Sequence, residues 1–169
     1  MRGVAVALLA AAWFASVDGL ANAQDLPRSG KVRLEIAQVQ YASRDLQLDH
    51  DTGSGSIEFA GVTRNLDGEP WFDRMTQRCT GQYYQADNNP PAANGACLLT
   101  DLLGDRIMLA YRGTAPRAGV QRIIGGSGRY SGITGQGTFT TIKLRPPTVG
   151  LEFWLTNVEL DYELNRSSQ

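Results

Sequence analysis

Glycine recurs through Gly125-Gly126-Ser127-Gly128-Arg129-Tyr130-Ser131-Gly132-Ile133-Thr134-Gly135-Gln136-Gly137, between two runs of strand-forming residues. Each glycine gives up side-chain packing and carries an entropic cost, so this density marks backbone geometry that other residues reach poorly. The geometries that need it are turns of positive φ, bulges and close strand crossings at a barrel corner. A dinucleotide-binding loop is excluded. The third glycine is missing at the required step after Gly126-Ser127-Gly128, and no helical pattern follows.

The rest of the chain agrees with a β fold. Val32, Leu34 and Ile36 alternate with polar neighbours, and so do Ile57 and Phe59 within Ser56 to Thr63. Phe72 to Tyr84 reads as one long extended run. Ala96 to Thr100, Arg106 to Arg112, Val120 to Ile124, Thr138 to Leu144 and Leu151 to Leu164 supply further strands or a pair of them. Between them lie turn signals: Asp67-Gly68, the prolines of Asp87 to Gly95, Gly104 within Asp101 to Asp105, and Pro146-Pro147. Tyr41 to Ser56, polar and rich in Asp and Gly, reads as a loop. No 3.6-residue apolar period persists beyond two turns. About eight short strands of this kind form an antiparallel barrel or a sandwich.

The start of the chain carries a different message. Arg2, the apolar run Val4 to Phe14 and the small-x-small triplet Ala21-Asn22-Ala23 follow the order of a secretory signal. Residues 1–23 are therefore expected to be removed between Ala23 and Gln24, leaving residues 24–169 as one domain in a secreted or periplasmic setting. The apolar run is short for a membrane span, so no membrane association is expected after cleavage. Acidic and basic residues number 17 and 16 and are mixed along the chain, without the basic block that tracks phosphates. Nucleic acid is thus an unexpected partner. The two cysteines, Cys79 and Cys97, are expected to pair in an oxidising compartment.

From Ile123 through Gly137, and again at Leu151-Glu152-Phe153-Trp154-Leu155, the chain resembles the allene oxide cyclase and dirigent family of barrels. It is most similar to bacterial secreted proteins of the allene-oxide-cyclase-barrel-like group, which carry a Cys pair placed like Cys79 and Cys97. The resemblance implies an all-β, calycin-like fold: an eight-stranded antiparallel barrel with a largely apolar interior, often a dimer or trimer. It also places Glu35, within Leu34-Glu35-Ile36, where the plant cyclases have a glutamate that polarises an epoxide. The asparagine two residues later is replaced here by Ala37, the following proline is absent, and the tyrosine before the glycine-rich stretch has no counterpart in Val120 to Ile124.

Candidate site residues follow. Glu35 is a catalytic candidate if it faces the lumen, where desolvation would raise its pKa. The alternative is a surface glutamate opposite an inward Leu34/Ile36 pair. Trp71, Tyr83, Tyr111, Phe153 and Trp154 are candidates to line a pocket for a flat or oily molecule, or else to fill a core. Asp49-His50-Asp51 holds the single histidine and reads as a solvated loop, too poor in ligands for zinc or copper. Asp101 and Asp105 do not match an EF-hand loop. No cofactor and no metal are expected. The functional expectation is binding of a small apolar or aromatic molecule in the lumen. The alternatives are a cyclase or isomerase that steers a reactive substrate, and an oligomeric scaffold with a filled barrel.

Overall fold

The computed structural model describes residues 26–86, 89–114, 118–146 and 150–165. The expected signal, residues 1–23 with its cleavage point, lies outside them.

Eight strands follow in chain order: β1 (Ser29–Gln47), β2 (Gly53–Asn65), β3 (Thr76–Gln85), β4 (Ala92–Thr100), β5 (Arg106–Thr114), β6 (Ala118–Gly126), β7 (Ile133–Leu144) and β8 (Glu152–Leu164). Each pairs antiparallel with its sequence neighbours, and β8 returns to β1, so the sheet is a closed barrel. Closure leaves no unpaired strand edge, which suits a chain built from short connections. The all-β, eight-stranded antiparallel expectation holds, and the sandwich alternative falls.

The glycine-rich stretch is a corner. After β6 the chain makes a 3-10 turn, Gly128–Tyr130, then re-enters the sheet at Ile133. Gly128 has φ 60° and Gly132 has φ 80°, conformations that cost most other residues strain. Beyond this corner, a Cβ on Gly137 would strike the carbonyl oxygen of Glu159 on β8. Only hydrogen fits there.

One end of the barrel is solid. Phe72 and Met75, from the β2–β3 connection, fold inward and are buried with Tyr130 from the corner. The Phe72 ring lies 5.2 Å from that of Tyr162 and 5.8 Å from that of Tyr130. Val32, Leu34, Leu99, Ile107, Ile133 and Leu164 fill the space around them. Full burial of each such side chain is worth about 1.5–3 kcal/mol. The plug is tied to β2 by polar groups. Thr63 Oγ1 donates to the Phe72 carbonyl at 2.6 Å and accepts from the Met75 amide at 3.0 Å. Asn65 Nδ2 donates to the Trp71 carbonyl at 2.8 Å.

Several boundaries differ from the sequence expectation: β4 begins at Ala92, inside the stretch Asp87 to Gly95 read as a loop, and β7 begins at Ile133 ahead of Thr138. Phe72 to Tyr84 is not one extended run: Phe72 and Arg74 have positive φ, 60° and 52°, in a turn, and β3 begins at Thr76. Tyr41 to Ser56 is not a loop but mostly a long hairpin, with Asp45 paired to Gly55 and Gln47 to Gly53. Backbone pairing, not apolar content, extends these strands.

Candidate functional site

The other end of the barrel is hollow. A cavity of about 400 Å³ opens there. Its apolar wall includes Ile36, Phe59, Phe139 and Val158, with the Cys79–Cys97 pair at its side. The two cysteines are direct cross-strand partners on β3 and β4, bonded at 2.04 Å. A barrel of eight strands has an interior that side chains can just fill or that can hold one small ligand. Here both occur, at opposite ends, so the filled-barrel alternative is corrected to a half-filled one.

Glycines make the hollow half possible. On β3, β4 and β5 the inward positions Gly81, Gly95 and Gly113 carry no side chain, and aromatic rings lie over such gaps. A Cβ on Gly95 would sit 2.6 Å from Tyr111 Oη, and one on Gly55 2.6 Å from the Tyr83 ring. Gly119 gives the same clearance, 2.6 Å, to the Phe139 ring. Tyr111 and Phe139 then meet edge to face at 6.2 Å.

The polar lining falls into two groups. The first is charged. Asp45 accepts a hydrogen bond from Tyr83 Oη at 2.6 Å, and Glu152 accepts one from Lys143 Nζ at 2.5 Å. That ammonium also stands 5.2 Å from the centre of the Trp154 ring. The bond to Asp45, with burial, pushes the Tyr83 phenol up to about 12. The second group is neutral: Gln38, Gln77, Tyr111, Gln121, Thr141 and Thr156. Gln38 Nε2 donates to Thr156 Oγ1 at 2.7 Å, and the Thr141 and Thr156 hydroxyls lie 2.9 Å apart. Gln77 Nε2 donates to Cys79 Sγ at 2.9 Å. Burial raises the Tyr111 phenol.

The structure separates the sequence candidates. Tyr83, Tyr111 and Trp154 line the cavity. Phe153 does not: it shares β8 with Trp154 but points to the outer face, as alternation requires. Trp71 is at the solid end, packed against the core. Glu35 also points outward. Leu34 and Ile36 are buried inside, and the Glu35 carboxylate lies 3.9 Å from Arg64 on the outer wall. Its candidate role as a lumenal handle is therefore corrected.

Asp45 and Glu152 are the lumenal carboxylates that sequence reasoning missed. At Tyr41 the β1–β2 register slips by one residue. Before this bulge the even positions Gln38 and Gln40 face in; after it Ser43 and Asp45 do. Gln77, Gln121 and Glu152 carry a signal that could have found them. Each stands two residues before an inward residue, Cys79, Ile123 and Trp154 respectively.

The remaining sequence motifs are surface features. The His50 side chain is 97% exposed and contacts Asp51 at 2.8 Å. Asp101 binds Arg129 at 2.5 Å, tying the β4–β5 turn to the glycine corner. Among the described residues no cluster of three or more His, Cys, Asp or Glu side chains could hold a metal ion.

No family model and no curated protein matches the sequence. Among solved structures, that of the pterocarpan synthase dirigent protein GePTS1 aligns over 85% of this chain and 91% of that one, with TM-score 0.52 and 7% identity. That of the pterocarpan synthase dirigent protein PsPTS1 covers 82% and 97%, with TM-score 0.45 and 10% identity. The likeness to GePTS1 shows that this chain shares the eight-stranded barrel fold of that dirigent protein.

Proposed function

We propose that this protein binds a small, largely apolar or aromatic molecule in the hollow half of its barrel. The observation that carries this reading is the cavity of about 400 Å³, walled by Phe59, Tyr111, Phe139 and Trp154 and closed at its far side by the Phe72–Met75 plug. Its volume lies in the range of small-molecule sites, and apolar walls with a few polar groups are their usual lining. The cystine beside it and the leader-like first residues support action outside the cytosol.

The test uses N-phenyl-1-naphthylamine, a neutral fluorophore that brightens in apolar surroundings. It should bind near one equivalent and accept excitation energy from tryptophan. Trp154→Phe should remove most of that transfer and Trp71→Phe should leave most of it. Ala93→Phe, which grows a ring from β4 into the lumen, should abolish binding while the barrel stays folded. Binding that survives Ala93→Phe unchanged would place the fluorophore elsewhere and sink the proposal.

A steering activity is a second reading, favoured by one observation: a carboxylate, Asp45, does face the lumen beside Tyr83. It would hold a reactive substrate in one conformation and supply a proton relay. Asp45→Asn with unchanged product stereochemistry, on a substrate identified by binding, would remove that role.

Self-association rests on a different surface. Val39, Phe153, Leu155, Ile142 and Leu144 are neighbours in register on the outer face of β1, β8 and β7. A strict monomer by sedimentation would count against a subunit contact there.

A further inference from the structure

Charge is divided unevenly around the outside of the barrel. The strands β4, β5, β6 and β7 contain no Asp and no Glu. Their cations are Arg106, Arg112, Arg122 and Lys143. Lys143 is matched by Glu152 from β8. The three arginines stand at exposed outward positions, alternating with the buried Ile107, Leu109, Gln121 and Ile123. None of the three forms an ion pair among the described residues. On the far side of the barrel β8 carries an outward acidic row, Glu159, Asp161 and Glu163.

The basic wall also exposes apolar side chains. The β5–β6 register slips at Met108, which leaves Ile124 as an extra residue and swings it outward beside Met108. Gly125, the partner of Met108, adds no side chain, and a Cβ there would meet nothing within 4 Å. Where β4 turns into β5, at the solid end, Leu102 and Leu103 are 79% and 72% exposed. That turn is not slack. Asp101 accepts from the Leu103 and Asp105 amides and binds Arg129 from the glycine corner. A buried carboxylate thus fixes a turn that holds two leucines in water, where they add nothing to the core. Contiguous apolar exposure of this kind marks a docking surface.

Charge and shape select the occupant. Asp101 and Asp105 both turn to Arg129, so Arg106, Arg112 and Arg122 keep the wall positive. A protein partner would anchor on aromatic side chains in a matching hollow, but this wall is convex and no aromatic residue faces outward from β4, β5 or β6. A second copy offers the acidic row of β8, yet Asn157, Glu159, Asp161 and Glu163 provide nothing apolar to cover Met108 and Ile124. A headgroup layer conforms to a convex body, admits protruding leucines and draws cations to its phosphates. We infer that this wall docks on the face of an anionic bilayer, with Leu102 and Leu103 entering the acyl boundary and Arg106, Arg112 and Arg122 on the lipid phosphates. Docking on a face needs no spanning segment. The inference goes beyond the lumenal reading and does not depend on it.

The test is co-sedimentation of residues 24–169, which contain the whole closed barrel, with vesicles of phosphatidylcholine alone or mixed with phosphatidylglycerol. The protein should bind the mixed vesicles at least about tenfold more tightly, and the difference should shrink between about 0.05 M and 0.5 M salt as screening shortens. Arg106→Gln and Arg122→Gln should each weaken binding by about fivefold, the effect of one cation near an anionic surface. Leu102→Ser/Leu103→Ser should weaken it by about tenfold or more. Gly125→Glu puts a carboxylate into the middle of the patch without a clash, so it should fold like the parent and bind more weakly. Leu48→Ser, at a leucine 82% exposed on the hairpin of the other end, should bind like the parent. In Leu103→Trp, bilayers brominated in the acyl chains should quench the added emission.

Failure to bind the mixed vesicles at low salt, or equal binding to both kinds, would overturn this inference and leave the lumenal proposal untouched. So would a loss of binding in Leu48→Ser with none in Leu102→Ser/Leu103→Ser, which would move the contact to the other end. An oligomer in solution that Gly125→Glu dissociates would make the wall a contact between copies and overturn the lipid reading.

Discussion

The phenol oxygen of Tyr111 occupies the place where Gly81 would carry a Cβ, two strands away. The ring reaches it by crossing Gly95 on β4, whose own Cβ would stand 2.6 Å from the same oxygen. The pairing holds the phenol against the lumen wall and keeps the hollow half open. Gly81→Ala should cost about 1–3 kcal/mol, the usual penalty for overpacking. In a Tyr111→Ala background the same change should cost less. The Asn94 carbonyl, 2.9 Å from that Cβ, keeps the cost above zero. Urea unfolding of the four proteins in this cycle measures the coupling.

Arg129 and Asp101 join the glycine corner to the β4–β5 turn. The Asp101 side chain is 5% exposed, and its carboxylate also accepts from the Leu103 and Asp105 amides, at 2.8 and 3.0 Å. Asp101→Ala removes the partner of a cation and of two amides together. We expect a loss of about 2–4 kcal/mol in denaturant unfolding. Lys31→Ala, at a fully solvated pair with Asp161, should change stability by less than about 0.5 kcal/mol.

Arg74 has φ 52° in the turn that carries the plug, a conformation worth about 1–2 kcal/mol of strain outside glycine. Its side chain is exposed and meets only its neighbour Asp73 at 3.0 Å. Arg74→Gly should therefore leave stability within about 1 kcal/mol of the parent, since relieved strain offsets the entropy of the freer unfolded chain. Arg74→Val should be clearly destabilising. Thermal unfolding of the pair checks the ordering.

Alkaline pH should unlock the barrel through its tyrosines. The hydrogen bond to Asp45 and burial push Tyr83 up to about 12, and burial pushes Tyr130 up to about 12. Both exceed the unfolded value of about 10. Their contribution is complete below pH 10 and is lost as pH rises from 10 to 12, because the folded chain then holds protons that the unfolded chain has released. Stability measured across that window should fall, and less steeply in Tyr83→Phe.

Reduction of Cys79–Cys97 reopens a loop of 18 residues. The chain-entropy model places the cost near 3 kcal/mol. Unfolding with and without a reductant, checked against Cys79→Ala/Cys97→Ala, reads it directly.

The architecture was legible because strands of alternating residues and glycine corners are local signals. Val32-Arg33-Leu34-Glu35-Ile36 announces a strand with two faces, whichever face is inside. That ambiguity is what left Glu35 open between lumen and surface, since alternation is symmetric until the barrel closes. Asp45 was hidden differently: the bulge at Tyr41 inverts the inside–outside parity beyond it, and nothing in Tyr41 to Ser56 marks a bulge. Phe72 was read as strand because its apolar character is the same in a plug as in a sheet. Trp154 and Phe153 adjoin in sequence, so one of the two had to face outward. Pairing of Cys79 with Cys97 needed no geometry, only an even count and an oxidising destination.

Photolabelling tests the central claim most directly. Para-hydroxybenzophenone, bound to the protein and irradiated in the near ultraviolet, inserts into C–H bonds beside it. Peptide mapping should place the label on inward residues of the hollow half, such as Ile36, Phe59 or Val158, and the Ala93→Phe protein should take up almost none. Label confined to the outer face around Phe153 and Ile142, undiminished by Ala93→Phe, would contradict a lumenal binding site.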